Sequence, residues 1–271
     1  MNENIRTIGL IAGNGQFPIL FSRAARDQKI KVVAAGIKGD TSFLLRPLVD
    51  HFSLFKAGEL RKLFKYFQEH GIRHVIMAGQ VNPKHLFNPR AEMDEEFRSL
   101  FQALRDRKAD TIFTAVANKL QAHGMELVDS TFLIKPYMAP AGTLTKRGPT
   151  TVELEDIDFG RYIAKSMGGL DVGQTVVVKE KAIVAIEAME GTDRCILRGG
   201  QIARQGAVVV KMSKPEQDQR FDVPVIGPRT IRNMAKVRIG CLAIEKDKTI
   251  IIDRDACVKL ADKAGICIAA A

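Results

Sequence analysis

The sequence contains no tryptophan and only three tyrosines among its 271 residues. Its lysines and arginines are spread along the chain and never form a block of five or more. Proteins that bind single-stranded nucleic acid pair a basic groove with aromatic side chains on which bases stack, so we expect no nucleic-acid partner. The net charge of +10 favours an anionic small molecule or an acidic membrane surface. A basic protein without an anionic ligand stays an alternative.

Cysteine is also scarce. All four cysteines lie in the second half of the chain, none forms a C-x-x-C pair, and none has a histidine near it in sequence. This pattern argues against a zinc site and predicts buried free thiols in a reducing compartment. The residues concerned are Cys195, Cys241, Cys257 and Cys267. No G-x-S-x-G motif occurs, so covalent hydrolysis by serine or cysteine has no support.

The sequence has no apolar run of the ~18 residues that a membrane-spanning helix needs. Its longest uncharged stretch near the N-terminus, residues 7–22, is interrupted by glycine, asparagine, glutamine and proline. The first four residues carry an acid and do not resemble a signal peptide. We therefore expect a cytoplasmic protein, for which contact with a membrane surface stays open.

Short apolar segments alternate with amphipathic ones through the first half of the chain, which predicts an α/β fold. We predict a doubly wound, Rossmann-like domain over residues 1–134, ending in a strand at Leu127–Ile134. The proline- and glycine-rich residues 135–150 are predicted to form a connector. Residues 151–271 are predicted to form a second α/β domain of mixed topology.

A glycine turn follows the first predicted strand. Gly13, Asn14 and Gly15 could hold phosphate on backbone N–H groups at a helix N-terminus, although a purely structural turn explains them equally well. The turn is not a dinucleotide fingerprint, because Pro18 stands where the third glycine belongs. The second strand is followed by glycines and a lysine before Asp40, so no acid is placed directly after it to bind a ribose.

The segment Glu190-Gly191-Thr192-Asp193 follows another strand-like run. Thr192 or Asp193 could simply cap the next helix. Alternatively, the amides of Gly191 and Thr192 could bind phosphate while Glu190 or Asp193 binds a cation. Mg²⁺ commonly binds through one or two carboxylates together with substrate phosphates.

Asp222 lies between Phe221 and an apolar Val-Pro pair. A carboxylate in such desolvated surroundings needs a partner. A metal ion could supply it, and so could Arg220, Arg229 or Lys214. An ordinary structural ion pair therefore stays open beside a metal site.

Five segments together resemble one known family, the LpxI-type UDP-2,3-diacylglucosamine pyrophosphatases. The resemblance extends over nearly the whole chain, with the motifs in the same order. The segments are Ile11–Pro18, Ala78–Val81, Glu190–Asp193, Lys214–Pro224 and Ile226–Thr230.

This resemblance implies an enzyme of lipid A biosynthesis in Gram-negative bacteria. Members of the family use Mg²⁺ to split UDP-2,3-diacylglucosamine into UMP and 2,3-diacylglucosamine 1-phosphate (lipid X). The resemblance implies a Rossmann-like N-terminal domain, a C-terminal domain of unusual fold and an active site between them. Because substrate and product are lipids of the inner membrane, we expect peripheral, reversible contact at its cytoplasmic face. A homo-oligomer is compatible with the sequence.

The essential aspartate of the family's F-D-x-P motif corresponds to Asp222, which we take as the catalytic residue and as a magnesium ligand. Glu190 and Asp193 are hypothesised to assist in holding the metal. The residues hypothesised to bind substrate phosphate are Gly13, Asn14, Gly15, Gln80, Gly191, Thr192, Lys214 and Arg220.

Two other classes of function use the same features. A nucleotide-sugar or NAD-binding oxidoreductase would have a similar first half, although the missing third glycine counts against it. A non-enzymatic, basic anion-binding protein would need no divalent metal, and its binding would weaken steeply with salt.

Overall fold

The computed structural model describes residues 5–85, 92–215, 218 and 220–271. The chain forms two compact units. The first comprises Met1–Ile134 together with Asp218–Asp222, and the second comprises Lys135–Gln217 together with Val223–Ala271. The short segment around Asp222 thus groups with the first unit, although most of the surrounding sequence belongs to the second.

The first unit contains a parallel sheet with helices between its strands. Its elements are β1 (Thr7–Ala12), α1 (Phe17–Asp27), β2 (Lys31–Ile37), a 3₁₀ turn (Phe43–Leu48), β3 (His51–Phe55), α2 (Leu60–Glu69), β4 (His74–Ala78), a 3₁₀ turn (Pro83–His85), α3 (Glu95–Gln102), α4 (Ala109–Ala122) and β5 (Glu126–Leu127). The described strands are ordered β3-β2-β1-β4-β5, and every neighbouring pair is parallel. This order confirms the predicted Rossmann-like α/β fold.

Strand β1 lies at the centre of this sheet and is covered on both faces. Its residues from Ile8 to Ala12 are buried, as expected for a parallel strand packed between layers of helices. Helix α2 packs its apolar stripe into the same core, with Leu63, Phe64 and Phe67 almost fully buried. The carboxyl ends of β1 and β4 are thereby held side by side.

The predicted strand at Leu127–Ile134 is wrong over most of its length. Strand β5 ends at Leu127, and the chain continues in turns. The carboxylate of Asp129 accepts hydrogen bonds from both the backbone N–H and the hydroxyl of Thr131, each at 2.7 Å. Such local bonding between a side chain and the backbone competes with a strand ladder and fixes a turn.

The second unit is built on a mixed sheet. Its elements are a 3₁₀ turn (Lys135–Tyr137), β6 (Gly142–Thr143), α5 (Thr151–Gly169), β7 (Thr175–Lys179), β8 (Ala182–Ile186), α6 (Thr192–Ala203), β9 (Val208–Lys211), β10 (Val225–Ile226), α7 (Pro228–Lys236), β11 (Cys241–Ile244), β12 (Ile250–Ile251), α8 (Arg254–Ala264) and β13 (Cys267–Ala270). Among the described residues the order is β6-β13-β11-β9-β7-β8, with β10 and β12 as a separate parallel pair. Strands β13, β11 and β9 are parallel, whereas β6, β7 and β8 are antiparallel to their neighbours. The predicted second α/β domain of mixed topology is confirmed.

Both faces of this sheet are buried, and the alternation of side chains along its strands explains how. Val176 and Val178 of β7 face one core, which includes Ile157 and Ala164 of α5. Val177 faces the opposite core, which includes residues of α6, α7 and α8. Because successive side chains point to opposite faces, a run of valines supplies both cores at once.

Residues 142–147, inside the predicted connector, contribute to the second unit. Thr143 pairs with Ala269 of β13, and the backbone N–H of Ile268 donates to the hydroxyl of Thr145 at 3.0 Å. Arg147 forms two hydrogen bonds of 2.8 Å with Glu153, the residue that also completes the capping box of α5. This stretch is therefore built into a sheet edge and a helix start.

All four cysteines are free and buried, as the sequence predicted. Burial raises the pKa of the Cys195 and Cys257 thiols to about 12, which keeps them protonated and unreactive. In the described parts of the chain, no helix combines the length and hydropathy required to cross a membrane.

Candidate functional site

The structure brings the predicted glycine turn together with Gln80. The backbone of Asn14 donates to the carbonyl of Gln80 at 2.8 Å, and Gln80 donates back to the carbonyl of Asn14 at 3.2 Å. The N–H of Gly13 donates to the carbonyl of Ala78 at 2.9 Å. A Cβ added at Gly13 would lie 2.5 Å from the Gln80 carbonyl oxygen, so the close approach requires glycine. Two separate motifs thus form one backbone structure.

This structure lies at the carboxyl ends of β1 and β4, where the strand order reverses direction. Ligands of open α/β sheets bind at such switch points. Helix α1 begins just beyond, and its N-cap residue, Gln16, makes no capping hydrogen bond through its side chain to the residues described here. The amides of Gly13 and Asn14 already donate to the carbonyls of Ala78 and Gln80, so an anion here would face the Gly15 amide and the first turn of α1.

A buried acid beside this turn was not predicted as a site residue. Asp40 follows β2, and its carboxylate, only 3% exposed, accepts hydrogen bonds from the Asn82 backbone at 2.9 Å and His85 Nε2 at 3.1 Å. The next residue, Thr41, donates its hydroxyl proton to the carbonyl of Ala12, directly before the glycine turn. The loop after β2 thus folds back onto the same sheet edge, although the glycines before Asp40 concealed this in the sequence.

Asp222 lies in a tight turn anchored to the first unit. The backbone N–H of Asp222 donates to the carbonyl of Asp218 at 3.1 Å. Phe221 packs against Phe113 with ring centroids 5.3 Å apart and joins the first hydrophobic core. This hydrogen bond and the partly buried ring of Phe221 help to hold the backbone at Asp222.

Arg220, a predicted phosphate ligand, faces a carboxylate of its own turn. Its Nε and Nη2 donate to Asp218 at 3.0 and 2.7 Å. Burial would raise the pKa of Asp218, but the hydrogen bonds from Arg220 outweigh burial and lower it. Asp218 is thus a structural partner of Arg220.

In the second unit, the predicted segment 190–193 forms the turn between β8 and α6. Glu190 accepts hydrogen bonds from Arg198 at 2.6 Å and from the Ala188 backbone at 3.0 Å, so both of its oxygens are engaged. Asp193 pairs with Arg229 at 2.8 Å. A metal ion at either carboxylate would have to compete with an arginine.

Thr192 belongs to a buried cluster that the sequence did not reveal. Its hydroxyl donates to Glu187 at 2.8 Å and accepts a hydrogen bond from Lys211 Nζ at 2.9 Å. The Lys211 side chain is 7% exposed, and its ammonium lies 3.9 Å from the Glu187 carboxylate and 3.4 Å from the Thr175 hydroxyl. Four chain segments, at β7, β8, α6 and β9, converge on this point. In the sequence, Lys211 could have been recognised as a single charged residue at the end of the apolar strand β9.

The backbone beside this cluster can also face an anion. Gly191, the N-cap residue of α6, has φ of +82° and no side chain with which to cap the helix. The first amides of α6 therefore lie close to the ammonium of Lys211, which contacts Thr192 at the first helical position. The Gly191 N–H already donates to the Ala188 carbonyl at 3.2 Å, so this geometry leaves the Thr192 amide for the predicted phosphate binding.

Two further ion pairs line the same edge of the second sheet. Lys214 pairs with Asp171. Lys165 Nζ donates to the Glu245 carboxylate at 2.7 Å, and the Ser213 hydroxyl donates to it at 2.6 Å. Burial would raise the pKa of Glu245, but hydrogen bonds from Lys165, Lys248 and Ser213 outweigh it and lower that pKa to about 2. The edge therefore consists of paired charges fixed by hydrogen bonds.

Within the part of the chain that the structure describes, no three residues among histidine, cysteine, aspartate and glutamate cluster closely enough to hold a metal ion by themselves.

Comparison with known proteins assigns the family. The model of the LpxI N-terminal domain matches residues 7–137, and that of the LpxI C-terminal domain matches residues 140–269. A UDP-2,3-diacylglucosamine pyrophosphatase LpxI from Caulobacter vibrioides is 30% identical over 274 residues, covering 97% of this chain and 96% of that protein. The chain belongs to the LpxI family. Membership confirms the resemblance carried by the five motifs and the prediction of an enzyme of the hydrolase class.

Similarity to solved structures is weak. The biotin carboxylase domain of the Hydrogenobacter thermophilus 2-oxoglutarate carboxylase has a TM-score of 0.29 at 12% identity, covering 73% of this chain and 41% of that chain. The N5-carboxyaminoimidazole synthetase from Staphylococcus aureus has a TM-score of 0.24 at 14% identity, covering 66% of this chain and 41% of that chain. The LpxI-family chain spans less than half the length of these structures, and neither likeness supports an inference about function.

Proposed function

We propose that this protein hydrolyses the diphosphate of UDP-2,3-diacylglucosamine to UMP and 2,3-diacylglucosamine 1-phosphate, a step of lipid A biosynthesis. The observation that carries the proposal is the match to the Caulobacter pyrophosphatase over 97% of the chain, through both family domains. The net charge of +10 suits a substrate whose diphosphate is anionic.

The reaction requires a water molecule to attack one phosphorus of the diphosphate. The water oxygen forms a new P–O bond, and the bond from that phosphorus to the bridging oxygen breaks. The bridging oxygen keeps the electron pair and leaves with the other phosphate. We assign to Asp222 the task of orienting the water and accepting its proton. The bond to Asp218 and the packing of Phe221 support this role, because a catalytic group must be held in position.

Phosphate binding is proposed at two kinds of site. The N–H groups of Gly13, Asn14, Gln80 and Gly191 already donate to backbone carbonyls. The glycine turn would therefore contribute the Gly15 amide to phosphate binding, and the start of α6 would contribute the Thr192 amide. Lys214 and Arg220 would add positive charge. Each of these two cations faces a carboxylate, so substrate phosphate would be bound by exchange of partners.

Magnesium is proposed to neutralise charge on the phosphates and to polarise them as a Lewis acid when it is bound. Carboxylate oxygens fit this ion, so Asp222 would hold it together with oxygen atoms of the substrate. Glu190 and Asp193 are weaker candidates because Arg198 and Arg229 already engage them.

The acyl chains of the substrate place it in a membrane. We therefore propose that the protein works in the cytoplasm as a peripheral, reversible partner of the inner membrane, attracted by its positive charge.

The test is release of UMP from purified UDP-2,3-diacylglucosamine in detergent, with Mg²⁺ and with EDTA. We expect release only with Mg²⁺, and a loss of about 10²–10⁴-fold in kcat for Asp222→Asn. Asp218→Asn is the matched control from the same turn and should lose less than about tenfold, because its carboxylate is assigned to Arg220 and not to the water. Absence of UMP with a well-folded wild type would refute the proposal.

A further inference from the structure

Two neighbouring apolar side chains project from the first unit. Phe43 and Leu44 begin the 3₁₀ turn after β2, and they are 67% and 68% exposed. Large apolar side chains are commonly exposed singly, but an adjacent pair at the tip of a turn places its apolar area at one point. We call Phe43 and Leu44 the apolar tip.

The tip stands on a rigid base. The next residue, Leu45, is 1% exposed and anchors the turn in the core. The Leu44 backbone donates to the Ser42 hydroxyl at 3.3 Å, and Arg26 of α1 donates to the Pro47 carbonyl at 2.6 Å. The two side chains are therefore held outward by a fixed turn. Because the backbone is already ordered, little conformational entropy is lost when they bind to another surface.

Positive charges flank the tip along the chain. Residues 23–50 contain six lysines and arginines but three aspartates. Lys38 and Arg46, on either side of the tip, are exposed. Of the aspartates, Asp40 is engaged by His85, and Asp50 accepts a hydrogen bond from the Val32 backbone. An apolar tip flanked by exposed cations complements an anionic lipid bilayer, with apolar side chains among the acyl chains and cations at the headgroups.

Helix α5 of the second unit provides a contrast. It also exposes large apolar side chains, among them Leu154 and Tyr162. Two of its acids, Glu153 and Asp156, are buried and hydrogen-bonded. The charges that α5 exposes or half-exposes are Glu155, Asp158, Arg161 and Lys165, which balance. The tip is flanked by cations instead and therefore fits an anionic surface better.

We propose that the apolar tip inserts into the surface of an anionic bilayer and, on the basis of the proposed function, positions the enzyme for its lipid substrate. The tip follows directly after Asp40 and Thr41, and the Thr41 hydroxyl bonds to Ala12 beside the glycine turn. Membrane insertion would thus occur near the sheet edge proposed to bind the substrate's phosphates.

The test is cosedimentation of the full chain with vesicles that contain no substrate. Vesicles of phosphatidylethanolamine and phosphatidylglycerol are compared with vesicles of phosphatidylcholine. We expect wild type to bind the anionic vesicles preferentially, and Phe43→Ser/Leu44→Ser to bind at least about tenfold more weakly. Lys38→Gln and Arg46→Gln should each weaken binding about fivefold. Leu154→Ser/Tyr162→Ser, the matched control, should bind like wild type.

Hydrolysis of detergent-solubilised substrate by the tip variant should stay at the wild-type rate, because the tip has no part in the chemistry. The vesicle assay does not depend on hydrolysis, so failure of the proposed reaction would leave its result intact. Equal binding by the tip and control variants would overturn the proposal. So would equal binding of wild type to both kinds of vesicle, or a loss of self-association caused by the tip substitutions in analytical ultracentrifugation.

Discussion

The two sheets of this protein present edges of different construction. The edge of the first unit is built mainly from backbone: Gly13, Asn14 and Gln80 bond through their amides and carbonyls. The edge of the second unit is built from side chains of opposite charge, with Lys211 beside Glu187 and Lys165 beside Glu245. Anion binding is proposed at both edges, through N–H groups at the first and through ammonium groups at the second.

Different kinds of substitution are expected to damage the two edges. A backbone edge depends on the space that glycine leaves, so an added methyl group should damage it. A charged edge depends on pairing, so loss of one partner leaves the other buried without compensation. Substitutions can therefore test the two constructions separately.

The largest effect is expected from Lys211→Met. Removing the ammonium leaves the mostly buried Glu187 carboxylate without its nearest cation, which should lower the free energy of unfolding by about 3–5 kcal/mol. Chemical denaturation would measure the loss. Lys211→Met/Glu187→Gln is the control and should regain most of it. A single variant as stable as wild type would show that the second edge does not rest on this pair.

A smaller effect is expected from Gly79→Ala in the first unit. Gly79 has φ of +84°, and a Cβ there would lie 2.3 Å from the Asn14 carbonyl oxygen. Positive φ costs about 1 kcal/mol and the steric conflict about 2 more, so we expect a loss of about 3 kcal/mol.

Gly15→Ala separates these two causes. Gly15 also has positive φ, +91°, but among the described residues no heavy atom beyond its chain neighbours lies within 4 Å of the position that an added Cβ would occupy. We expect a loss of about 1 kcal/mol in the same denaturation measurement. Equal losses at Gly79 and Gly15 would contradict the close approach of the two loops.

The third prediction concerns acid. Folding lowers the pKa of Glu245 from 4.5 to about 2, so the folded state favours the ionised form. Its contribution is complete above about pH 4.5 and is lost as the pH falls toward 2, by at most roughly 3 kcal/mol. Glu245→Gln should flatten the stability profile in this window, whereas Glu155→Gln, at an exposed pair with Lys181, should not. Parallel profiles for wild type and Glu245→Gln would count against the assignment.

Local pattern was sufficient for much of the fold. The apolar stripe of α2 and the run of valines in β7 are examples of hydrophobic periodicity, which is visible in the sequence because it depends on neighbouring residues. It failed at 127–134, where the apolar residues suggested a strand and the Asp129 carboxylate fixed a turn instead.

The candidate site was less accessible to sequence reasoning. The motif containing Asp222 is visible in the sequence, as are the glycine turn and the segment at Gly191. Lys211 and Glu187 are 24 residues apart and carry no motif; only the pairing of β7 with both β8 and β9 brings them together. Partners of this kind depend on strand order, which short-range pattern does not specify.

The sequence by itself determined the α/β class, the family and the identity of the motifs, because these depend on local periodicity and on residues contiguous in the chain. Tertiary structure decided which groups meet: Asn14 with Gln80, Asp40 with His85, and Lys211 with Thr192. It also decided that the turn ending at Asp222 packs with the first unit, through Phe221 on Phe113. Burial and long-range pairing fix these contacts, and both arise only when distant segments of the chain pack together.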